Sequence, residues 1–233
     1  MRIAIMQPYV FPYLGYFQLI NEADLFVFYD DVNFIKRGWV NRNRILLNKQ
    51  EHLITIPCLQ ASQNKLINEV AVDFASPELK KVFKTIQQAY QKSPNYAAVI
   101  PWVESIFFKE QTISQFAISF VEETYNYLGV EKAFKISSRG NYNNQHLVKA
   151  DRLIDICKKE GITNYVNAIG GMEIYTKEYF SSHGVDLQFL KPTISPYHQG
   201  MGEQFVPGLS ILDVLMYESK DSVIEKISEG QLV

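Results

Sequence analysis

Two polar segments within the first fifty residues hold most of the side chains that could do chemistry. The first, 7–16, follows a short apolar run and opens a predicted helix. Anions bind at such a place, because backbone N–H groups are free there and the helix dipole is positive. Tyrosine hydroxyls could donate to a phosphate or to a developing oxyanion. The alternative is a rigid turn packed by its aromatic rings. The candidate residues are Tyr13 and Tyr16 for catalysis, and Gln7, Tyr9 and Gly15 for substrate binding.

The second segment, 30–44, begins with two carboxylates and continues with four cations that have no acid among them. One of the carboxylates could deprotonate an attacking amine or hold Mg²⁺. Arg and Lys bind phosphates, Asn amides suit sugar hydroxyls, and a tryptophan can stack on a sugar or base. The alternative is a solvated loop whose charges pair with distant acids. The candidates are Asp30, Asp31 and Lys36 for catalysis, and Asn33, Arg37, Trp39, Asn41, Arg42 and Arg44 for substrate binding.

Three weaker candidates stand near the ends of later predicted strands. Ser138 lies in a short serine-rich turn, Asn167 precedes a glycine pair, and His198 lies among polar residues. We predict that Ser138 and Asn167 bind substrate and that His198 takes part in catalysis. The alternatives are a helix cap, a plain turn and a surface histidine. No metal site is predicted, because the remaining histidines and the two cysteines lack the spacing of metal ligands.

The composition limits the class of protein. The 233 residues are 47% hydrophobic, with a net charge of −2 and a pI of about 6.1, so nothing attracts the whole chain to nucleic acid or anionic membrane. No apolar run is long enough to span a bilayer, and the first residues lack the pattern of a signal peptide. Two cysteines are too few for a disulfide framework. We therefore expect a cytoplasmic protein with no nucleic-acid partner and no membrane insertion.

Short apolar runs alternate with helical patterns along the chain. Runs at 2–6 and 25–29 predict strands buried on both faces, joined by a helix from 15 to 21 as in a βαβ unit. The pattern predicts an α/β fold: a mostly parallel, Rossmann-like open sheet flanked by helices. We expect a single domain over 1–233, with a mainly helical insertion at about 76–130. Further strands are predicted at 53–57, 69–74, 132–136, 164–166 and 186–190, and later helices at 147–160, 173–180 and 210–218.

Three stretches of the chain resemble a known family. They are MQPYVFPYLGYFQLI, FVFYDDVNFIKRGWVNRNRIL and FVPGLSILDVLM. On these residues the sequence resembles the WbqC-like family, whose members tend to be encoded in bacterial gene clusters for O-antigen and other surface polysaccharides. A second similarity is to the nucleotidyltransferase superfamily, which implies a mostly parallel, open α/β sheet like the one in that superfamily. Tyr13-Leu14-Gly15-Tyr16 stands where that superfamily has H-x-G-H, with tyrosines in place of the histidines.

The resemblance implies an enzyme of surface-polysaccharide biosynthesis that acylates or aminoacylates a nucleotide-linked amino sugar by forming an amide. A sugar nucleotide or another phosphate-bearing small molecule is the expected partner. The reaction class is open between a transferase and an ATP-dependent amide ligase, so ATP with Mg²⁺ is the candidate cofactor. Two alternatives remain: a nucleotidyltransferase acting on a small metabolite, and a non-catalytic binding protein of the glycan pathway. A homodimer is left open.

Overall fold

The structure, a computed structural model, describes residues 1–200 and 204–233, in which eight strands and eight α-helices form. The strands are β1 (Arg2–Met6), β2 (Leu25–Phe28), β3 (Arg42–Leu47), β4 (Gln50–Thr55), β5 (Ala133–Ile136), β6 (Asn164–Ala168), β7 (Asp186–Lys191) and β8 (Gln231–Leu232). The helices are α1 (Leu14–Glu22), α2 (Pro77–Tyr90), α3 (Tyr96–Phe107), α4 (Ile113–Leu128), α5 (Lys149–Lys159), α6 (Lys177–Ser182), α7 (Ile211–Tyr217) and α8 (Lys220–Ile227). Short 3₁₀ turns occupy Ile67–Glu69, Ser137–Arg139 and Ile169–Glu173.

Six of the strands form one central sheet in the order β5-β2-β1-β6-β7-β8. All neighbours are parallel except the two-residue edge strand β8, which runs antiparallel to β7. The sequences of β1 and β2 are continuous apolar runs because helices cover both faces of the sheet, so alternate residues enter different cores. The predicted α/β class, with a mostly parallel, Rossmann-like open sheet, is confirmed.

The sheet separates two hydrophobic cores. On the first face, Ala4, Phe26 and Phe28 pack with apolar residues of α1, α4, α7 and α8. On the second face, Ile5 and Val27 pack with apolar residues of α5 and α6. All five side chains are buried. Removing the apolar surface of these side chains from water is the main favourable contribution to folding.

The chain changes direction between β1 and β6, which are neighbours in the sheet. β1 continues into α1 on the first face and leads to β2 on one side. β6 continues through a 3₁₀ turn into α6 on the second face and leads to β7 on the other side. The two connections therefore leave the carboxyl ends of adjacent strands in opposite directions. Such a switch point opens a crevice, and open α/β sheets bind their ligands there.

A β-hairpin forms where the sequence indicated a basic segment followed by a third strand. Residues 42–47 form β3, and the strand predicted at 53–57 lies slightly earlier, as β4. β4 pairs antiparallel with β3 and stays outside the central sheet. Asn48 and Lys49 connect the two strands with φ of 51° and 66°, as a two-residue type I′ turn requires. The turn fits the antiparallel register in which Leu47 of β3 faces Gln50 of β4.

Two further element predictions are wrong in detail. The segment predicted as a strand at 69–74 is irregular, because isolated bridges join it to Cys58 on one side and to Thr112 on the other, so no ladder forms. The helix predicted at 173–180 begins later than expected. It follows Thr176, whose side chain caps the helix by accepting a backbone N–H one turn ahead.

Helices α2, α3 and α4 occupy most of the predicted insertion. Ser76 caps α2 by accepting from the Glu78 N–H at 3.2 Å, with Pro77 at the first helical position. α4 begins with a capping box at Thr112 and ends at Gly129, whose φ of 74° is a left-handed cap. That these helices are an insertion within a single domain stays a prediction. Along the described ranges, no helix is long and apolar enough to cross a membrane.

Candidate functional site

A cleft of about 690 Å³ opens at the carboxyl ends of β1 and β6, at the switch point. Its walls come from the tyrosine-rich loop and α1, from the segment 35–44, from the turn after β6, and from α5. The volume lies in the range of small-molecule sites, roughly 300–1,000 Å³. Of the residues selected from the sequence, those that line the cleft are Gln7, Tyr9, Tyr13, Gly15, Tyr16, Trp39, Arg44 and Asn167.

Hydrogen bonds to Gln7 hold the tyrosine-rich loop. The Tyr16 hydroxyl donates to the Gln7 carbonyl oxygen at 2.9 Å, and the Tyr9 hydroxyl lies 3.4 Å from Gln7 Oε1. Tyr13 stands at the N-cap of α1, and its hydroxyl bonds to none of the described residues. A Cβ at Gly15 would lie 2.5 Å from the Tyr13 ring. Glycine is therefore needed for Tyr13 to fold over the start of the helix.

Burial keeps the phenols of the cleft protonated. It raises the pKa of Tyr13, raises that of Tyr9 together with a smaller effect of Tyr13, and raises that of Tyr16 well above its usual value. It also raises the pKa of Tyr29, a further cleft residue, to about 12. At neutral pH these hydroxyls are therefore neutral hydrogen-bond donors and acceptors, and they do not act as bases.

Arg44 is the cation of the cleft. Its Nη1 forms a 2.8 Å ion pair with Glu51 of β4, and its Nη2 donates to the Gly208 carbonyl at 3.2 Å. Its Nε is buried with no partner among the described residues. The guanidinium lies 5.6 Å from the ring of Trp39, so the two side chains support each other at the cleft wall. An incoming anion can bind the remaining N–H groups or displace Glu51.

Apart from Arg44 and Trp39, the structure does not bring the basic-segment candidates to the cleft. Asn41 and Arg42 donate to backbone carbonyls, each at 2.9 Å, and these bonds shape the loop. The loop presents Ile35 and Trp39 to the cleft. The expected cluster of four cations around the ligand is thereby reduced to Arg44. Exposed outside the cleft are Asn33, Lys36 and Arg37.

Asp30 is buried outside the cleft lining, and both of its carboxylate oxygens are occupied. Oδ1 accepts from the Ser138 N–H at 3.0 Å, and it shares the single proton of the Ser137 hydroxyl, 3.2 Å away, with Asp31. Oδ2 accepts from the Ser138 hydroxyl at 2.9 Å and from the Ser114 hydroxyl at 3.3 Å. These bonds join the end of β2 to the turn after β5 and to α4. Ser138 therefore bonds to Asp30 and does not reach the cleft.

Asp31 forms a buried ion pair with Arg152 of α5. A second nitrogen of Arg152 donates to the Asp31 carbonyl at 3.0 Å, and the Ser137 hydroxyl donates to the other carboxylate oxygen. The pair lies behind the cleft wall, because the Arg152 guanidinium is 4.8 Å from the ring of Tyr29, which lines the cleft. Both carboxylates selected from the sequence thus hold elements of the fold together.

His198 is exposed and also lies outside the cleft. The Gly200 N–H donates to its Nδ1 at 3.3 Å, and its ring stands 5.9 Å from the ring of Tyr217. This arrangement ties His198 to its own loop and to α7. His198 is therefore not among the described residues that line the cleft.

A buried carboxyl group that sequence reasoning missed belongs to Asp213 of α7. The Tyr197 hydroxyl and Gln199 Nε2 donate to its Oδ2 at 2.9 Å and 3.2 Å, while its Oδ1 has no partner among the described residues. Burial raises the pKa of Asp213 to about 6, against the lowering effect of its hydrogen bonds. The pattern that could have revealed it is a lone aspartate within the apolar stretch SILDVLM.

The side of the cleft next to the second core is lined by three tyrosines that the sequence analysis does not select: Tyr29, Tyr165 and Tyr175. Tyr165 is 1% exposed, and its hydroxyl has no partner within the described part of the chain. Tyr29 and Tyr165 stand beside the residues that were selected after β2 and β6. Tyrosine at the end of a buried strand is the pattern that could have found Tyr29, which directly follows β2, whereas Tyr165 lies near the start of β6 and carries no such signal.

The described lining residues define which chemistry is available. Arg44 is the charged side chain among them, and within this part of the chain no carboxylate, imidazole or thiol lines the cleft. Across 1–200 and 204–233, no group of three or more His, Cys, Asp or Glu side chains could hold a metal ion. Mg²⁺ in nucleotide sites takes protein carboxylates as ligands, so these residues do not fit Mg²⁺–ATP. They can bind a small molecule by stacking, by neutral hydrogen bonds and through one cation.

The fold and the cleft define a Rossmann-like α/β protein with a cleft at the switch point of its sheet. The chain belongs to the WbqC-like protein family, whose model matches residues 7–225. It is also similar to the uncharacterized protein Rv1507c of Mycobacterium tuberculosis, with 25% identity over 217 residues that cover 92% of each chain. No solved structure matches the chain.

Proposed function

We propose that this protein is an enzyme that acylates or aminoacylates the amine of a nucleotide-linked amino sugar, in the biosynthesis of a bacterial surface polysaccharide such as O-antigen. The observation that carries the proposal is the cleft at the switch point, where aromatic side chains and Arg44 line about 690 Å³. Aromatic faces suit a base or a sugar ring, and a guanidinium suits a phosphate. The association of the WbqC-like family with polysaccharide gene clusters supports the pathway.

The lining residues favour a donor that is already activated, such as an acyl thioester or an acyl phosphate. The amine nitrogen attacks the carbonyl carbon, the C–N bond forms as the bond to the leaving group breaks, and the amine proton departs with the leaving group. This step needs no nucleophile from the protein. An ATP-dependent ligase would need ligands for Mg²⁺, and the described lining residues include no carboxylate.

We assign Tyr13 to the oxyanion that develops on the acyl carbonyl. Its hydroxyl has no partner among the described residues, whereas the hydroxyls of Tyr9 and Tyr16 bond to Gln7. Burial raises the pKa of Tyr13, so its hydroxyl remains a donor through neutral pH. A fixed donor accelerates the reaction when it binds the charge of the transition state better than the neutral carbonyl.

Mass spectrometry of reaction mixtures tests this proposal. The protein is incubated with UDP- and dTDP-linked amino sugars and a panel of acyl thioesters, acyl phosphates and aminoacyl donors, with and without ATP and Mg²⁺. We expect a product heavier by one acyl group, formed without ATP. No gain of mass across the whole panel would contradict the proposal.

Tyr13→Phe should lower kcat by roughly a hundredfold with little change in KM, because the loss of one oxyanion donor has an effect of this order. The matched control is Tyr179→Phe, since Tyr179 is an exposed tyrosine on α6 whose hydroxyl bonds to Asp151 outside the cleft. Equal kcat for both variants would remove Tyr13 from the mechanism.

A second candidate function is non-catalytic binding of a glycan precursor. It is favoured by the absence of carboxylates and imidazoles from the described cleft lining. It predicts that a sugar nucleotide raises the melting temperature without turnover. Arg44→Gln would then weaken binding and have no other effect. Product formation in the mass-spectrometric assay rejects this candidate.

The remaining alternative, nucleotidyl transfer to a small metabolite, would instead release pyrophosphate from a nucleoside triphosphate.

A further inference from the structure

One end of the cleft carries polar groups that neither the fold nor the proposed oxyanion site uses. We define the tyrosine floor as Tyr29, Tyr165, Asn167 and Tyr175, all of which line the cleft beside the second core. We infer that the tyrosine floor binds the sugar ring of the ligand, an uncharged polyol, while Arg44 binds its phosphate. The inference rests on the proposed function, because it divides a sugar nucleotide between two ends of one site.

The hydroxyl of Tyr165 is the first observation behind this assignment. The side chain is 1% exposed, and its oxygen is shielded from water with no partner among the described residues. A buried hydroxyl without a hydrogen bond destabilises a fold, so natural proteins keep few of them. A hydrogen bond between this hydroxyl and a bound ligand explains why the residue is tyrosine, since phenylalanine would fill the same core position.

Asn167 supplies a second unused donor. Its Oδ1 accepts from the Ala168 N–H at 2.8 Å, which fixes the plane of the amide. Its Nδ2 has no partner in the described part of the chain and lies against Gly171, where a Cβ would approach to 2.7 Å. The backbone of the turn after β6 therefore leaves room for the amide to face a ligand. An amide N–H and a phenol can each bond to a sugar hydroxyl.

The tyrosine floor carries no net charge, which selects a neutral ligand group. Burial raises the pKa of Tyr29 to about 12, raises that of Tyr175, and raises that of Tyr165 well above its usual value. The Arg152 guanidinium behind Tyr29 is already paired with Asp31. Neutral donors and acceptors beside aromatic faces suit a sugar ring, which has hydroxyl groups and apolar C–H faces.

The anion-binding end lies on the other side of the sheet. Tyr13 packs against the first core, whereas Tyr29 and Tyr175 pack against the second. Arg44 is joined to this first side, because its carbonyl accepts the N–H of Ser210, which bridges to Tyr13. The cleft therefore passes over the carboxyl ends of the strands, with Arg44 and Tyr13 on one side of the sheet and the tyrosine floor on the other.

Calorimetric titration of Tyr165→Phe tests the assignment, with UDP and UDP-glucosamine as probes. Wild type should bind UDP-glucosamine more tightly than UDP. The variant should lose about tenfold in affinity for UDP-glucosamine, as expected for one hydrogen bond, and keep its affinity for UDP. Without ligand, its melting temperature should equal that of wild type or exceed it by a few degrees, because an unpartnered hydroxyl has been removed. The matched control is Tyr179→Phe, which should bind both probes as wild type does.

The results separate this inference from the proposed function. If Tyr165→Phe keeps its full affinity for UDP-glucosamine, or loses affinity for UDP equally, the tyrosine floor does not bind the sugar, whether or not the protein acylates amino sugars. Free glucose, an uncharged sugar, supplies an independent readout by saturation-transfer NMR. Signal transfer that is present in wild type and lost in the variant supports the tyrosine floor even if no amide is formed. No transfer in wild type overturns it.

Discussion

The carboxyl group of Asp213 should make the stability of this protein depend on pH between about 4 and 6. It is fully buried in α7, with two donors on Oδ2 and none among the described residues on Oδ1. The Tyr90 hydroxyl is a second buried oxygen with no hydrogen-bond partner among the described residues, although it lies near enough to Asp213 to lower the pKa of that carboxyl in part. Its own pKa is raised by burial and then by the charge of Asp213. The ionised carboxylate is therefore poorly accommodated, and Asp213→Asn removes its charge while keeping its shape.

The sign and the size follow from the pKa. Burial raises the pKa of Asp213 from an ordinary 3.8 to about 6, so the folded protein holds this proton more tightly than the unfolded chain. The contribution of Asp213 to the free energy of unfolding is fully present below about pH 4 and is lost as the pH rises through 6. A difference of about 2 units between the pKa in the folded protein and the pKa in the unfolded chain changes the free energy of unfolding by about 3 kcal/mol. For a chain of this length that is a change in melting temperature of roughly 6–12 °C.

Chemical denaturation at pH 4, 5, 6 and 7 measures this effect as a difference between two profiles. The free energy of unfolding of Asp213→Asn minus that of wild type should rise by up to about 3 kcal/mol from pH 4 to pH 7. Taking this difference cancels every other titrating group. Asp186→Asn, at an exposed carboxylate that starts β7, controls for the substitution itself. Parallel profiles for wild type and Asp213→Asn would refute the argument.

Two further predictions concern the cleft. Gly171→Ala should weaken binding of UDP-glucosamine about tenfold in calorimetry, because its Cβ would lie 2.7 Å from Asn167 Nδ2 and displace the amide. Gly170→Ala, whose Cβ meets nothing within 4 Å, should have a much smaller effect, and equal losses would count against the role of Asn167. Glu51→Gln should tighten UDP binding about twofold to fivefold in a fluorescence titration, because it frees Arg44 from a partly exposed ion pair. Weaker binding would mean that Glu51 orients Arg44 and does not compete with the ligand.

Local patterns were sufficient for the elements whose residues decide their own structure. The apolar runs of β1 and β2, and the cap at Ser76 followed by proline, depend on neighbours in sequence. The hairpin of β3 and β4 does not follow from such a pattern. Asn43, the second residue of β3, is buried and donates to the Val10 carbonyl at 3.1 Å, so a polar residue enters the interior through a long-range bond.

The same distinction applies to the candidate site. The tyrosine-rich loop was placed correctly at a strand end because strand, loop and helix follow each other in the sequence. The sequence suggests that Asp30 and Asp31 face a ligand, because their actual partners lie 107 and 121 residues away, at Ser137 and Arg152. Their roles as catalytic residues stay predictions that the geometry does not support. When the partner of a polar residue is distant in the sequence, the residues next to it do not reveal that the two will pair.

The pairing of β1 with β6 has a consequence for the synthesis of the chain. Residues 2–4 of β1 pair with residues 164–166, so one edge of β1 has no partner until the intervening chain has left the ribosome. At about 5–20 residues per second this wait is on the order of ten to thirty seconds. During that time an apolar strand edge is open to pairing with other chains. The cleft needs both strands, so a ligand can stabilise the finished fold but cannot help the nascent chain to reach it.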